Sequence, residues 1–136
     1  MLITDLPSAL AGEAVALWHE SGLTRPWNDP SADLSRALSG PASTVLAALD
    51  GDLLTGTAMV GHDGHRGWVY YLAVRSDRRG EGLGRALMSA CEQWLVRRKI
   101  PKVNLMVRAT NTAVVGFYES LGFEDCEVVV LGKFLD

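Results

Sequence analysis

Arg79-Gly80-Glu81-Gly82-Leu83-Gly84 is the stretch of this sequence best suited to chemistry. A strongly β-forming run, Trp68 to Val74, precedes it, and a helical pattern follows. Glycines at such a junction let the backbone come close to a ligand. The first amides of the next helix lack intrahelical partners, and the helix dipole is positive at that end. Together they suit an anion, phosphate above all. Over residues 75–85, Arg75, Arg78, Arg79 and Arg85 stand against Asp77 and Glu81, a local charge of +2.

Three ligand-binding patterns compete for this loop. A nucleoside-triphosphate loop requires Lys-Ser or Lys-Thr after its last glycine, and the sequence contains neither. A dinucleotide fingerprint requires Gly-x-Gly-x-x-Gly, but Arg85 occupies the place of the third glycine. Arg-x-x-Gly-x-Gly is matched by Arg79, Gly82 and Gly84. A plain helix-start turn would use the same glycines. Elsewhere, His62-x-x-His65 has the spacing of a metal pair, but no third ligand is evident and Gly64 and Gly67 suit a turn, so no metal is expected. Cys91 and Cys126 make no disulfide framework and read as small buried hydrophobes. Trp18, Trp68 and Trp94 read as core.

The elements that position the loop follow from periodicity and turn chemistry. Leu2 to Asp5 reads as a first strand, and residues 9–20 as a helix capped by Ser8 and ended at Gly22. Arg25-Pro26-Trp27-Asn28-Asp29-Pro30 is a loop. Its Asp29 and Pro30 are N-cap and first residue of a second helix that ends at Gly40. Strands over 43–49 and 53–62 flank Asp50-Gly51-Asp52, with a bulge expected at Gly56. The turn 63–67 leads to the strand 68–74, completing an antiparallel meander. An amphipathic helix over 83–98 and a strand over 102–108 then make a parallel pair with a right-handed crossover. A helix over 111–121, closed by Gly122, and a last strand region within 124–135 complete one domain, 1–136. The class is α/β (α+β): a mixed, mostly antiparallel sheet with one parallel pair and about four helices.

Composition sets the outer limits. The chain has 136 residues, 48% hydrophobic and 21% charged, with a formal charge of −3. A general nucleic-acid binder is usually basic, so that class is disfavoured. The longest run without a charged side chain is the 13 residues Ala37 to Leu49, too short to cross a membrane. Asp5 and Pro7 interrupt any apolar leader, so the expected location is cytoplasmic.

Arg79-x-x-Gly82-x-Gly84 resembles the cofactor loop of the GNAT superfamily of N-acyltransferases. Asn111-x-x-x-x-x-Phe117-Tyr118-x-x-x-Gly122-Phe123 resembles that family's next motif, and the order β-α-α-β-β-β-α-β-α-β is similar over nearly the whole chain. The resemblance implies an N-acetyltransferase that uses acetyl-CoA and transfers the acetyl group directly to a primary amine. It implies that the strand before the loop splays from its parallel neighbour, and that Leu72, Ala73 and Val74 offer backbone groups to the pantetheine arm. The amides of Arg79, Gly80, Glu81, Gly82, Leu83 and Gly84 would hold the pyrophosphate. Asn111 would touch the pantetheine arm, and Tyr118 would be the general acid that protonates the leaving thiolate. A core aromatic with a locally satisfied hydroxyl is the competing reading of Tyr118.

The chain departs from the pattern in two places. Neither 68–74 nor 102–108 contains a carboxylate to act as base, which leaves Asp63, His65 and Tyr70 as the nearest candidates. The 13 residues after Phe123 are few for two long strands, so the sheet is one strand short or is completed by another subunit of a homodimer. Arg25 to Pro30, Gly61 to Gly67 and Leu131-Gly132-Lys133 resemble the small bacterial YpeA-like acetyltransferases. In that fold the loop between the first two helices lies over the acceptor end of the cleft. Arg25, Trp27, Asn28 and Asp29 are therefore acceptor candidates, against a simple capped turn with Trp27 in the core. The acceptor would be a small molecule or a peptide amine. A non-catalytic acyl-CoA-binding module is the rival reading.

Overall fold

The computed structural model describes residues 1–135, which divide into two compact units, 1–105 and 106 onward. The first holds a five-stranded sheet in the order β1-β2-β3-β4-β5. Its strands are β1 (Leu2–Asp5), β2 (Ser43–Asp50), β3 (Leu53–His62), β4 (Gly67–Val74) and β5 (Val103–Asn104). The first three pairings are antiparallel, and β4 with β5 is parallel. Three helices belong to this unit: α1 (Ala11–Glu20), α2 (Pro30–Ser39) and α3 (Leu83–Arg97). The second unit contains α4 (Thr112–Ser120). The mixed, mostly antiparallel sheet with one parallel pair and four helices is the expected class.

Both faces of the sheet are covered, so its central strands read as apolar runs rather than alternations. Val45 to Ala48 are all buried. On one face Trp18 of α1 donates its indole N–H to Thr57 Oγ1 at 2.8 Å. Gly56, next along β3, points the other way, where a Cβ would lie 2.9 Å from Leu87 Cδ1 of α3. Gly67 plays the same part on β4, because a Cβ there would collide with Leu95. Thus Gly56 serves the close approach of α3, and the bulge expected at it falls on Thr55, between the pairs Ala48–Gly56 and Leu49–Leu54.

Helix ends explain much of the punctuation. Asp29 caps α2 as expected, accepting from the Ala32 amide at 3.1 Å. Ser8 does not cap α1: a 3-10 turn over Ser8–Leu10 follows Pro7, and the α-helix starts at Ala11. Three helices close alike. After α1, Gly22 N–H bonds His19 C=O and Leu23 N–H bonds Trp18 C=O. After α4, Gly122 N–H bonds Glu119 C=O and Phe123 N–H bonds Tyr118 C=O, with Gly122 at φ +94°. Lys99, at φ +61°, does the same after α3.

Two expected strands are corrected. The strand over 102–108 shrinks to Val103–Asn104, and residues 124–135 contain no strand. Both segments are β-prone, but a strand exists only where another strand pairs with it. Cys91 is buried, but Cys126 is exposed, contrary to its reading as core. Trp18 and Trp94 are core and Trp68 is half-buried, while Trp27 is 59% exposed.

Candidate active site

Between β4 and α3 the chain makes a short 3-10 turn, Ser76–Arg78, and then the glycine loop. Gly80 and Gly82 have φ +85° and +80°, a region that L side chains rarely adopt. A Cβ on either would meet nothing within 4 Å, so open space lies beside the backbone. Gly82 is the N-cap of α3 and offers no side chain to the first-turn amides. Those amides therefore have room for an outside acceptor and the dipole to favour an anionic one.

The arginines divide their work. Arg75 grips Asp77 through two 3.0 Å bonds, which holds the Asp77 carboxyl below the usual range. Arg78 pairs with Asp50 of β2 at 2.9 Å and lies 3.9 Å from Glu81. The Arg75 amide donates to Thr55 C=O at 2.9 Å, anchoring the start of the loop to β3. Arg79 and Arg85 make no ion pair among the described residues. The loop is thus tied down by two cations, and two more are left for an anion. A pyrophosphate fits this donor set.

β4 is irregular where it leads to this loop. Thr57 registers with Ala73 and Met59 with Tyr70, so Tyr71 and Leu72 together oppose Ala58. Tyr71 sits at φ +53°, unusual for an aromatic residue. Its ring stacks on Trp18 at 3.9 Å, its carbonyl accepts from Thr57 Oγ1 at 3.0 Å, and its hydroxyl donates to Asp33 at 2.8 Å. Burial and the Asp33 carboxylate push the Tyr71 hydroxyl up to about 12. Ala73 and Val74 register with β3, while β5 pairs with β4 only at Gly67 and Trp68. Beyond Trp68 the outer edge of β4, Leu72 and Val74 included, has no strand partner among the described residues.

A pocket of ≈ 690 Å³ opens on the α1/α2 side of the same unit. Its walls include Leu23 and Asn28, Asp33 and Arg36 of α2, His62 and Asp63, and the aromatics Trp68, Tyr70 and Tyr71. Of the four acceptor candidates, Asn28 lines it. Arg25 donates to Gly22 and Thr24 carbonyls, closing its own loop, and Asp29 caps α2. Trp27 lies exposed outside the lining. Asp33, Arg36, His62 and Tyr71 are pocket residues that sequence reasoning did not single out as acceptor-side groups. Strict alternation would send Tyr70 and Tyr71 to opposite faces, and the bulge brings both to one pocket.

The base candidates are poorly placed for that task. Asp63 Oδ1 accepts the Arg66 and His65 amides, both at 2.8 Å, which holds its carboxyl below the usual range. Burial pushes the Tyr70 hydroxyl up, so it keeps its proton at neutral pH. His65 is exposed and does not line the pocket. His62 does, but its Nδ1 takes the Gly64 amide at 3.0 Å, which puts the proton of the neutral ring on Nε2.

In the second unit, Asn111 is the N-cap of α4 and its side chain makes no capping bond. Tyr118 is half-buried between two edge-on rings, Phe117 at 5.1 Å and Phe123 at 5.6 Å. The helix closure at Gly122 delivers Phe123 to Tyr118, so the spacing Tyr118-x-x-x-Gly122-Phe123 builds a fixed seat for the phenol.

A family model described as "Acetyltransferase (GNAT) family" matches residues 12–123. A Yersinia pestis protein described as an uncharacterized N-acetyltransferase is 45% identical over 123 residues, 90% of this chain and 87% of its own. A transcriptional regulator from Bacillus halodurans shares the fold at TM-score 0.85 and 16% identity, covering 98% of this chain and 99% of its own. The aminoglycoside N-acetyltransferase AAC(6')-Iy, solved with a CoA-linked bisubstrate analogue, does so at TM-score 0.82 and 17% identity, covering 99% of this chain and 98% of its own.

Proposed function

This chain belongs to the GNAT acetyltransferase family, and from that premise we propose that it transfers an acetyl group directly from acetyl-CoA to a primary amine. Acetyl-CoA supplies an activated thioester. The protein's contribution is orientation, charge and one proton. The observation that carries the reading is the loop: two glycines at positive φ, an uncapped α3 N-terminus and two arginines without an ion pair among the described residues, with open space beside them.

In this reading the amides from Arg79 to Gly84 hold the pyrophosphate, with Arg79 and Arg85 adding charge. Leu72, Ala73 and Val74 line the path of the pantetheine arm along β4, and the Asn111 amide side chain bonds that arm. The acceptor nitrogen arrives from the Asn28 side of the pocket. It attacks as the neutral amine, with the Asp63 carboxyl held below the usual range and the Tyr70 hydroxyl pushed up, so that neither is suited to take its proton. Tyr118 gives its hydroxyl proton to the departing sulfur as the carbon–sulfur bond breaks, and the proton shed by the acylated nitrogen returns through water to the phenolate.

The test has two arms. Acetyl-CoA should raise the melting temperature by linkage, and NAD and ATP should do much less. A panel of amines, read by release of the CoA thiol, should then give turnover that Tyr118→Phe cuts about a hundredfold. Equal stabilisation by NAD would defeat the cofactor assignment. Stabilisation by acetyl-CoA with no turnover of any amine would favour a binding module.

A further inference from the structure

We propose that Asp33 selects the acceptor: the pocket takes an amine that carries a second, cationic nitrogen, and the Asp33 carboxylate holds that nitrogen. The inference rests on the transfer reading above and adds a substrate class to it.

Asp33 lies in the first turn of α2 and lines the pocket, with its side chain 29% exposed. Oδ2 accepts the Tyr71 hydroxyl at 2.8 Å and Oδ1 accepts Arg36 at 2.7 Å. An ionised carboxylate offers about four acceptor positions, so two remain for a ligand. The group that aims it is fixed. Tyr71 is stacked on buried Trp18, and its carbonyl is held by Thr57, which in turn takes the Trp18 N–H. An anion pre-set in this way loses little freedom when a cation arrives.

The other charges of the pocket leave the role to Asp33. Asp63 is exposed, and its Oδ1 holds its own turn. His62 is tied through Nδ1 to the Gly64 amide. The Arg36 side chain is 71% exposed, so water screens its pair with Asp33 and a competing cation can displace it. Trp68 and Tyr70 give the pocket aromatic walls, which suit an alkyl chain and attract a cation. A purely structural Asp33 would only complement the α2 dipole and pair with Arg36. Such a residue would affect stability and leave acceptor choice alone.

The experiment uses three acceptors with four carbons each: butylamine, 1,4-diaminobutane and 4-aminobutanoate. Their far ends are neutral, cationic and anionic. In the wild type, kcat/KM should favour 1,4-diaminobutane over butylamine roughly tenfold, with 4-aminobutanoate last. Asp33→Asn keeps an acceptor for Tyr71 and should bring the diamine preference close to one. Arg36→Gln removes a competing cation and should raise that preference. A preference that survives in Asp33→Asn, or equal use of all three amines by the wild type, overturns the inference. Should the wild type acetylate none of them, the wider amine panel decides the transfer reading and binding decides the inference. In that case 1,4-diaminobutane should shift the NMR signals of Asp33 and Tyr71 in the wild type where 4-aminobutanoate does not. Equal shifts from both would overturn it.

Discussion

Replacing Gly82 by valine separates strain from binding, because the structure supplies a matched control. Gly82 is at φ +80° and Gly51, in the β2–β3 turn, is at φ +61°. At both, a new Cβ meets nothing within 4 Å. Packing therefore contributes nothing to the cost, and what remains is a β-branched residue in the left-handed region. That costs about 1–2 kcal/mol at either site, or roughly 4–8 °C of melting temperature for a chain of this size. Acetyl-CoA should feel only one of the two changes. At Gly82 the side chain enters the space beside the α3 amides, and relaxation to negative φ would turn those amides away. Loss of even one charge-assisted bond to phosphate weakens binding about tenfold or more. Calorimetric titration with acetyl-CoA should show that loss for Gly82→Val and wild-type affinity for Gly51→Val, at similar cost in stability. Equal affinity in both variants would place the phosphate site elsewhere and refute the argument.

Other perturbations test the remaining parts of the site. Tyr118→Phe should lower kcat about a hundredfold with KM for acetyl-CoA little changed, since a general acid at this position would act on charge that develops only as the sulfur leaves. Steady-state kinetics check this, and an equal rise in KM would mark the phenol as a binding group. Trp18→Phe removes the indole donor to buried Thr57 and should cost about 1–3 kcal/mol in urea unfolding. The Tyr71 hydroxyl is raised to about 12 by burial and Asp33, so the folded state keeps its proton longer than the unfolded chain does. Its contribution to stability is complete below pH 10 and declines between pH 10 and about 12. Urea midpoints across that range should fall less steeply in Tyr71→Phe than in the wild type.

The glycine loop proposed for phosphate is legible in the sequence because its conformation is a matter of backbone. Positive φ at Gly80 and Gly82 and an uncapped helix start leave a direct mark in glycine spacing. Asp29-Pro30 gave the start of α2 for the same reason, since a cap and a fixed φ are local requirements. The last strand region was misread because local β-propensity is only half of a strand. Residues 124–135 have the propensity, but no partner strand gives it a ladder.

The pocket beside Tyr71 resisted reading for a different reason. The strand Trp68 to Val74 looks regular, yet one extra residue at Tyr71–Leu72 breaks the period of two. Nothing at position 71 announces a positive φ, because tyrosine is a residue that avoids it. What makes φ +53° tolerable there is assembled from distant parts of the chain: the Trp18 ring, the Thr57 hydroxyl and the Asp33 carboxylate. Strain of about 1–2 kcal/mol is within what one stacked aromatic pair and two hydrogen bonds supply. The bulge therefore exists because of contacts 14 to 53 residues away in sequence, beyond the reach of any local pattern. The same contacts turn Tyr71 toward the pocket and set Asp33 beside it, so this pocket is written in tertiary structure alone.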